Sequence, residues 1–70
     1  DYFIEKIENQ FICSGELVTN MINISGNKDS VLDEIFIRFE KSVLSREINE
    51  MGAIDGDTIV LGNLEFEYKQ

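Results

Sequence analysis

The chain has little of what several kinds of fold and binding site require. It contains one cysteine and no histidine, so no disulfide can form within it and no imidazole is present to activate the thiol. A small chain without a disulfide is typical of a reducing, intracellular setting, and we expect a cytoplasmic protein. It has no apolar run long enough to span a bilayer and no signal-peptide pattern, so we expect no membrane partner.

Positive charge is also scarce. Six Lys and Arg stand against 14 Asp and Glu, which gives a formal net charge of −8. A nucleic-acid surface needs clustered Lys and Arg to neutralise phosphates. The basic residues are instead spread along the sequence, at Lys6, Lys28, Arg38, Lys41, Arg46 and Lys69. Direct nucleic-acid binding by this chain is therefore disfavoured.

The length of 70 residues predicts one domain, residues 1–70. A core of that size supplies a stability margin of only about 3–5 kcal/mol. The chain begins at Asp1 and not at Met, and we expect a domain excised from a larger protein.

The C-terminal stretch carries the clearest local pattern. Two short apolar runs flank Gly62-Asn63, and Gly-Asn between such runs indicates a two-residue hairpin turn with Gly62 at positive φ. The pairs that follow are Leu61 with Leu64, Ile59 with Phe66 and Asp57 with Tyr68. One face then carries Ile59, Leu61, Leu64, Phe66 and Tyr68, and the other carries Thr58, Val60, Glu65 and Glu67. This pattern predicts a half-buried antiparallel hairpin.

A second hairpin is predicted at the N-terminus. The apolar run Phe3–Ile7 and the run Phe11–Ser14 are separated by the polar break Glu8-Asn9-Gln10. Phe11 and Cys13 fall on one face of their strand, so we expect Cys13 to be a small buried hydrophobic residue and not a reactive thiol.

Three helices are predicted between the hairpins. The first begins near Glu16, with Ser14 as a candidate cap and residues 25–27 as its end. The second is capped by Ser30, pairs Glu34 with Arg38, and carries an apolar stripe of Leu32, Ile35, Phe36, Phe39 and Val43. The third is capped by Ser45, ends at Gly52, and lines one side with Leu44, Ile48 and Met51. The order β-β-α-α-α-β-β implies an α+β fold, in which both hairpins form a small sheet and the helices pack on one face. The order of the strands is left open.

Short motifs recur along nearly the whole chain, at Phe11-Ile12, Gly15-Glu16, Ile35 with Phe39, Ile48 with Gly52, Gly56-Asp57-Thr58 and Phe66-Glu67-Tyr68. Together they resemble the C-terminal domain of Obg-family GTPases. Obg proteins combine a glycine-rich N-terminal domain with a P-loop GTPase domain, and some members add this C-terminal domain. The family associates with the large ribosomal subunit and is linked to its assembly and to stress responses.

The resemblance implies a regulatory or protein-interaction domain without catalytic, cofactor-binding or metal-binding residues. The chain has no glycine-rich loop ending in Lys-Ser or Lys-Thr, so GTP and Mg²⁺ would be bound by a separate GTPase domain of the parent protein. We expect a protein partner: the parent's own GTPase domain, a ribosomal protein or a regulatory protein. Asp57, Glu65 and Glu67 are the candidate contact residues, because a −8 domain favours a basic partner.

Two other interpretations remain at this point. A stand-alone ubiquitin-like or TGS-like interaction module is one, since such folds also begin strands with Gly-Asp. A small-ligand or metal-binding domain is the other, with Asp55 and Asp57 joined by Glu65 or Glu67. Calcium takes about six to eight oxygen ligands, usually from a longer loop. We therefore expect both aspartates to cap local backbone amides instead.

Overall fold

The strands and helices follow the predicted order along the chain. The computed structural model describes residues 1–23 and 28–70. Within those residues the strands are β1 (Phe3–Ile7), β2 (Gln10–Ser14), β3 (Thr58–Leu61) and β4 (Leu64–Glu67), and the helices are α1 (Glu16–Ile22), α2 (Lys28–Glu40) and α3 (Val43–Glu50). The predicted α+β class is confirmed.

The two hairpins join into one sheet through a parallel pairing. The strand order is β1-β2-β3-β4, and both hairpins are antiparallel. β2 and β3 run parallel, with Phe11 opposite Ile59 and Cys13 opposite Leu61. Parallel neighbours need a long crossover connection, and the segment that contains α1, α2 and α3 supplies it.

The core lies between one face of the sheet and the helices, as predicted. Its buried members come from every helix and from the central strands: Phe11, Cys13, Val18, Met21, Ile35, Phe39, Leu44, Ile48, Ala53, Ile59, Leu61 and Tyr68. Each strand contributes alternate side chains to this face because successive residues of a strand point to opposite sides.

The C-terminal hairpin has the predicted register. Leu61 lies opposite Leu64 and Ile59 lies opposite Phe66, and the Tyr68 N–H donates to the Asp57 carbonyl oxygen at 2.7 Å. Gly62 has a φ of 62°, which a residue without a Cβ adopts at little cost. The Gly-Asn pattern therefore predicted both the turn and the register of this hairpin.

The N-terminal hairpin has a tighter turn than predicted. β2 begins at Gln10, so the turn consists of Glu8 and Asn9 alone, and Glu8 takes a positive φ of 56°. Gln10 pairs with Ile7 across the hairpin and with Thr58 across the parallel junction. The polar character of Gln10 suggested a loop, but backbone pairing on both sides places it in the strand.

The predicted cap of α1 was wrong. Gly15, with a φ of 108° and a ψ of 179°, occupies the N-cap position, whereas Ser14 is the last residue of β2. The N–H of Leu17 donates to the carbonyl oxygen of Asp1 at 3.2 Å. The N-terminal segment thus supplies the acceptor that a capping side chain would otherwise provide.

The loop between α1 and α2 was predicted at residues 25–27, which lie outside the described residues. α1 ends at Ile22, with Asn23 as its C-cap. α2 begins at Lys28, so Ser30 lies inside the first turn of the helix, and its assignment as the cap was wrong. A serine near the start of an apolar stripe indicates a helix boundary only to within a residue or two.

Part of the predicted apolar stripe of α2 is exposed. Ile35 and Phe39 are buried, and Phe36 is half-buried. Leu32 is 63% exposed, and Val43 belongs to α3 and is exposed. Helical periodicity predicts the direction of a side chain, but it does not tell whether the sheet extends beneath it. The predicted pair is confirmed, since Arg38 Nε lies 3.5 Å from Glu34 Oε1.

α3 begins three residues earlier than predicted. Ser42, and not Ser45, is its N-cap, and the Ser42 hydroxyl donates to the carbonyl oxygen of Phe39 at 2.7 Å. Leu44 and Ile48 are buried as expected, whereas Met51 is exposed. Gly52 follows the helix with a φ of 97°, which confirms it as the residue that ends α3.

Candidate functional site

Two of the three predicted contact residues lie on an exposed sheet face. Glu65 and Glu67 of β4 alternate with Phe66, which points toward the helices. Both glutamates are exposed. They lie on a strand of a four-stranded sheet, so the hydrogen bonds between the strands fix their backbone positions.

Asp57 is placed differently. Its side chain is 7% exposed, and its carboxylate accepts a hydrogen bond from the Ile54 N–H at 3.1 Å. The Asp57 N–H in turn donates to the carbonyl oxygen of Ile54 at 3.1 Å. Asp57 therefore closes the turn before β3 and does not join Glu65 and Glu67 on an accessible surface. The turn dipeptide Asp55-Gly56 immediately before it was the signal for this role.

Asp55 has a similar structural task. Its carboxylate accepts a hydrogen bond from the Gln70 N–H at 2.7 Å, and this bond fastens the C-terminus to the turn. The expected capping of a local amide is confirmed for Asp57. It was wrong for Asp55, because the amide that donates to its carboxylate lies fifteen residues further along the chain. Among the side chains of residues 1–23 and 31–70, no group of three acidic or sulfur side chains is arranged to hold a metal ion.

The sheet face that carries the glutamates is the one without helices. We call it the open face, and strand alternation assigns to it Phe3, Glu5, Ile7, Gln10, Ile12, Ser14, Thr58, Val60, Glu65 and Glu67. Ile12 and Val60 pair at its centre, flanked by Glu5 on one side and Glu65 on the other. Strands are about 4.8 Å apart, so these two glutamates stand roughly 14 Å from each other. The open face is an apolar strip between two acidic rims.

The sequence did not predict that Glu5 belongs to this surface. Glu5 lies sixty residues before Glu65, and only the strand order β1-β2-β3-β4 brings them into one row. Phe3 and Ile7 lie on the same strand face and are exposed, so the apolar strip extends along β1. Each charged side chain assigned to the open face is a glutamate.

A groove on the opposite side has the opposite character. We call it the C-terminal groove, and it lies between the end of α2, the start of α3 and the chain that follows β4. Lys41, Arg46 and Lys69 line it, together with the partly buried rings of Phe36 and Phe66. These basic residues are scattered in the sequence and converge only because α2, α3 and the C-terminal segment meet there. No pattern in the sequence therefore predicted this cluster.

Cys13 is a core residue, as predicted. It lies opposite Leu61 in the parallel junction and belongs to the buried cluster. Burial raises the pKa of the Cys13 thiol to about 11, because an apolar surrounding disfavours the charged thiolate. The side chain fills space in the core.

We expect Cys13 to resist alkylation by iodoacetamide at mildly alkaline pH while the chain is folded. The thiolate is the reactive form, and a pKa of about 11 leaves roughly one thiol in a thousand ionised at about pH 8. Unfolding in urea should restore rapid labelling, which mass spectrometry would detect. Equal labelling rates with and without urea would contradict the burial of Cys13.

The helices are short relative to a bilayer. Within residues 1–23 and 28–70, none is both long enough and apolar enough to cross a membrane.

Comparison with known proteins relates nearly the whole chain to one family. The family model for a domain of unknown function (DUF1967) matches residues 2–68. The chain is 32% identical over 71 aligned residues to the GTPase Obg of Pseudothermotoga lettingae (strain ATCC BAA-301 / DSM 14385 / NBRC 107922 / TMO). The alignment covers 100% of this chain and 16% of that protein, so the chain spans about a sixth of the relative's length. No solved structure matches the chain.

Proposed function

This chain belongs to the DUF1967 family, the C-terminal domain of Obg GTPases, and on that premise we propose that it is a non-catalytic domain that regulates its parent GTPase by binding protein. The observation that carries the proposal is the open face, where the half-buried Ile12 and Val60 lie between Glu5 and Glu65. An apolar strip with acidic rims is complementary to a protein surface that is apolar at its centre and basic at its edges.

Catalysis is assigned to another part of the parent protein. GTP hydrolysis requires a loop that cradles the phosphates and residues that hold Mg²⁺. The sequence contains no glycine-rich loop ending in Lys-Ser or Lys-Thr. GTP and Mg²⁺ are accordingly proposed to bind in the GTPase domain, and the chain described here acts on that activity only through contacts.

The proposed partner is a basic protein surface in the cytoplasm. The GTPase domain of the same protein is one source of such a surface, and a ribosomal or regulatory protein is another. The family's association with large-subunit assembly and stress responses supports the ribosomal option. The formal charge of −8 opposes direct binding to ribosomal RNA. The family match does not favour a stand-alone ubiquitin-like or TGS-like module or a metal-binding domain.

The open face is tested by comparing two double variants with the same change in charge. Glu65→Gln with Glu67→Gln neutralises the rim of the open face, whereas Glu16→Gln with Glu50→Gln neutralises two exposed residues of α1 and α3. Each is introduced into an Obg GTPase that carries this domain. Binding to purified large ribosomal subunits, and to the isolated GTPase domain, is then measured at several salt concentrations.

The rim variant should weaken binding by roughly two- to tenfold, more at low salt than at high salt, while the helix variant should change it little. Deleting the domain should weaken binding at least as much. Protein-free large-subunit RNA should not bind the isolated chain tightly even at low salt. Tight binding to that RNA, or equal effects of both double variants, would refute the proposal.

A further inference from the structure

The C-terminal groove is large enough to hold a ligand, and aromatic rings form part of its lining. Its volume is about 590 Å³, within the ~300–1,000 Å³ that ligand sites occupy. Phe36 and Phe39 of α2 meet the ring of Phe66 edge to face, with centroids 5.5 and 5.1 Å away. Phe39 is buried, but Phe36 and Phe66 are only half-buried. Apolar surface is therefore left for a ligand to cover.

The rim of the groove concentrates the positive charge of the chain. Lys41, Arg46 and Lys69 are three of its six Lys and Arg residues, and Glu40 is the acidic residue in the lining. The ion pair observed among the side chains of residues 1–23 and 31–70 joins Glu34 to Arg38, outside the groove. Within those residues, no carboxylate therefore lies at ion-pair distance from Lys41, Arg46 or Lys69.

The backbone around Lys69 is held in place by its neighbours. The Gly56 N–H donates to the carbonyl oxygen of Tyr68 at 3.2 Å, and the Gln70 N–H donates to the Asp55 carboxylate at 2.7 Å. These bonds fix the chain on both sides of Lys69 against the turn that precedes β3. Lys69 can therefore present its charge to the groove from an ordered backbone.

The groove lies beside the edge strand of the described sheet, because Phe66 of β4 lines it. β4 is the last strand of the order β1-β2-β3-β4. In an antiparallel pair, alternate residues direct their N–H and C=O groups to the partner strand. Leu64, which follows the two-residue turn, directs its backbone groups toward Leu61. Tyr68 directs its N–H toward the carbonyl oxygen of Asp57. By alternation, the backbone groups of Glu65 and Glu67 point away from β3.

We infer that the C-terminal groove is a second docking site, which binds an extended acidic peptide as an additional strand on the free edge of β4. Unpaired backbone groups at a sheet edge bind a peptide through main-chain hydrogen bonds, and the adjacent groove selects its side chains. Here the half-buried rings select an apolar side chain. Lys41, Arg46 and Lys69 select carboxylates.

The alternation of a strand makes the preferred peptide more specific. Every second side chain of the added strand faces the groove, and the remaining side chains lie beside Glu65 and Glu67 on the open face. Acidic side chains at the latter positions meet like charge and are disfavoured. The predicted peptide therefore alternates acidic or apolar residues with neutral or basic ones. This site uses the backbone of the strand that carries the acidic rim, but its groove prefers a ligand of opposite charge to the one proposed for the open face.

An extended peptide fits these features better than a nucleic acid does. A polynucleotide presents a regular row of phosphates, and binding it requires many cations along the path. Here three cations sit at one groove of a chain whose formal charge is −8. A peptide with a few carboxylates satisfies the groove and also uses the backbone groups of β4.

The test uses the full chain and a short designed peptide. The probe is a fluorescently labelled peptide with blocked ends, in which Glu, Leu and Glu occupy alternate positions and Thr fills the positions between them. Fluorescence anisotropy measures its dissociation constant for the wild-type chain at low and moderate salt. We expect binding that weakens as the salt concentration rises. A matched peptide with Lys in place of Glu should bind at least about tenfold more weakly.

Variants of the chain then separate the charge contribution from the backbone contribution. Lys41→Gln with Arg46→Gln should weaken binding roughly five- to tenfold, whereas Arg38→Gln, outside the groove, should change it less than about twofold. Glu67→Pro removes an N–H that β3 does not use, so the fold should tolerate it. It should weaken binding about fivefold relative to Glu67→Gln. Circular dichroism confirms that each variant is folded.

Four results would overturn the inference. The first is no saturable binding of the acidic probe to the wild-type chain. The second is an equal effect of Arg38→Gln and of Lys41→Gln with Arg46→Gln, which would show a non-specific charge effect. The third is unchanged affinity when alternate amides of the probe are N-methylated, because a strand at the β4 edge needs those N–H groups. Tighter binding of a single-stranded oligonucleotide would likewise contradict it. Lys41→Gln with Arg46→Gln leaves the acidic rim of the open face unchanged, so this variant tests the groove separately from the proposed function of that rim. Glu67→Pro and Glu67→Gln remove the same rim charge, so their comparison isolates the backbone N–H.

Discussion

Replacing Phe39 with alanine is expected to lower the free energy of unfolding by about 3–5 kcal/mol. Phe39 is 2% exposed and joins α2 to β4 through its contact with Phe66, so its loss leaves a cavity between helix and sheet. A loss of this size is comparable with the whole stability margin of a 70-residue domain. Urea unfolding followed by far-ultraviolet circular dichroism measures it.

Leu32→Ala in the same helix is the matched control. Leu32 is among the exposed residues of α2, so its truncation should change stability by less than about 0.5 kcal/mol. Phe66→Ala should fall between the two, at about 2 kcal/mol, because Phe66 is half-buried yet touches both phenylalanine rings of α2. A Phe39→Ala chain as stable as Leu32→Ala would contradict the helix–sheet packing described here.

Gly15→Ala is expected to be the other strongly destabilising change, by about 3 kcal/mol or more. Gly15 combines a φ of 108° with a ψ of 179°, a region that is essentially restricted to glycine. A Cβ at this position would lie 2.8 Å from the Tyr2 Cα and 3.0 Å from the Asp1 carbonyl oxygen. These are backbone atoms, so the N-terminal segment would have to move.

The N-terminal segment cannot move without losing other contacts. The Asp1 carbonyl oxygen accepts the Leu17 N–H at 3.2 Å, and the Tyr2 hydroxyl donates to Glu47 Oε1 at 2.7 Å. Displacing Asp1 and Tyr2 therefore removes an acceptor from the start of α1 and a tether to α3. This coupling makes the cost larger than backbone strain alone.

Gly52→Ala separates strain from steric overlap. Gly52 also has a positive φ, at 97°, but a Cβ there would meet nothing within 4 Å. We expect a loss of about 1 kcal/mol for Gly52→Ala, measured by the same urea titration. If the two glycine variants were equally stable, the close approach of Asp1 and Tyr2 to Gly15 would be wrong.

Features that depend on adjacent residues were predictable from the sequence. The turn at Gly62-Asn63 determined the register of β3 and β4, because a two-residue turn leaves one way to pair the residues beside it. Gly52 marked the end of α3 because glycine adopts a positive φ at little cost. The alternation of Phe11 and Cys13 predicted the buried face of β2. In each case the deciding interaction lies within a few residues of the signal.

Contacts between distant segments decided the rest. The parallel pairing of β2 with β3 joins residues almost fifty positions apart, and no local pattern specifies it. No local pattern specifies either that the Asp1 carbonyl oxygen accepts a hydrogen bond at the start of α1. Ser14 and Ser45 were plausible caps by composition, but the chain path placed Gly15 and Ser42 at those positions. A side chain becomes a cap only where the backbone turns into the helix.

The sequence by itself determined the elements, their order, the hairpin register and the family resemblance, because each of these follows from local spacing. Only the tertiary structure decided which charges share a surface. It buried Asp57 in a turn, aligned Glu5 with Glu65 across four strands, and gathered Lys41, Arg46 and Lys69 around one groove. A sequence shows only the order of charged residues along the chain, whereas a binding surface depends on how the sheet and helices bring distant residues together.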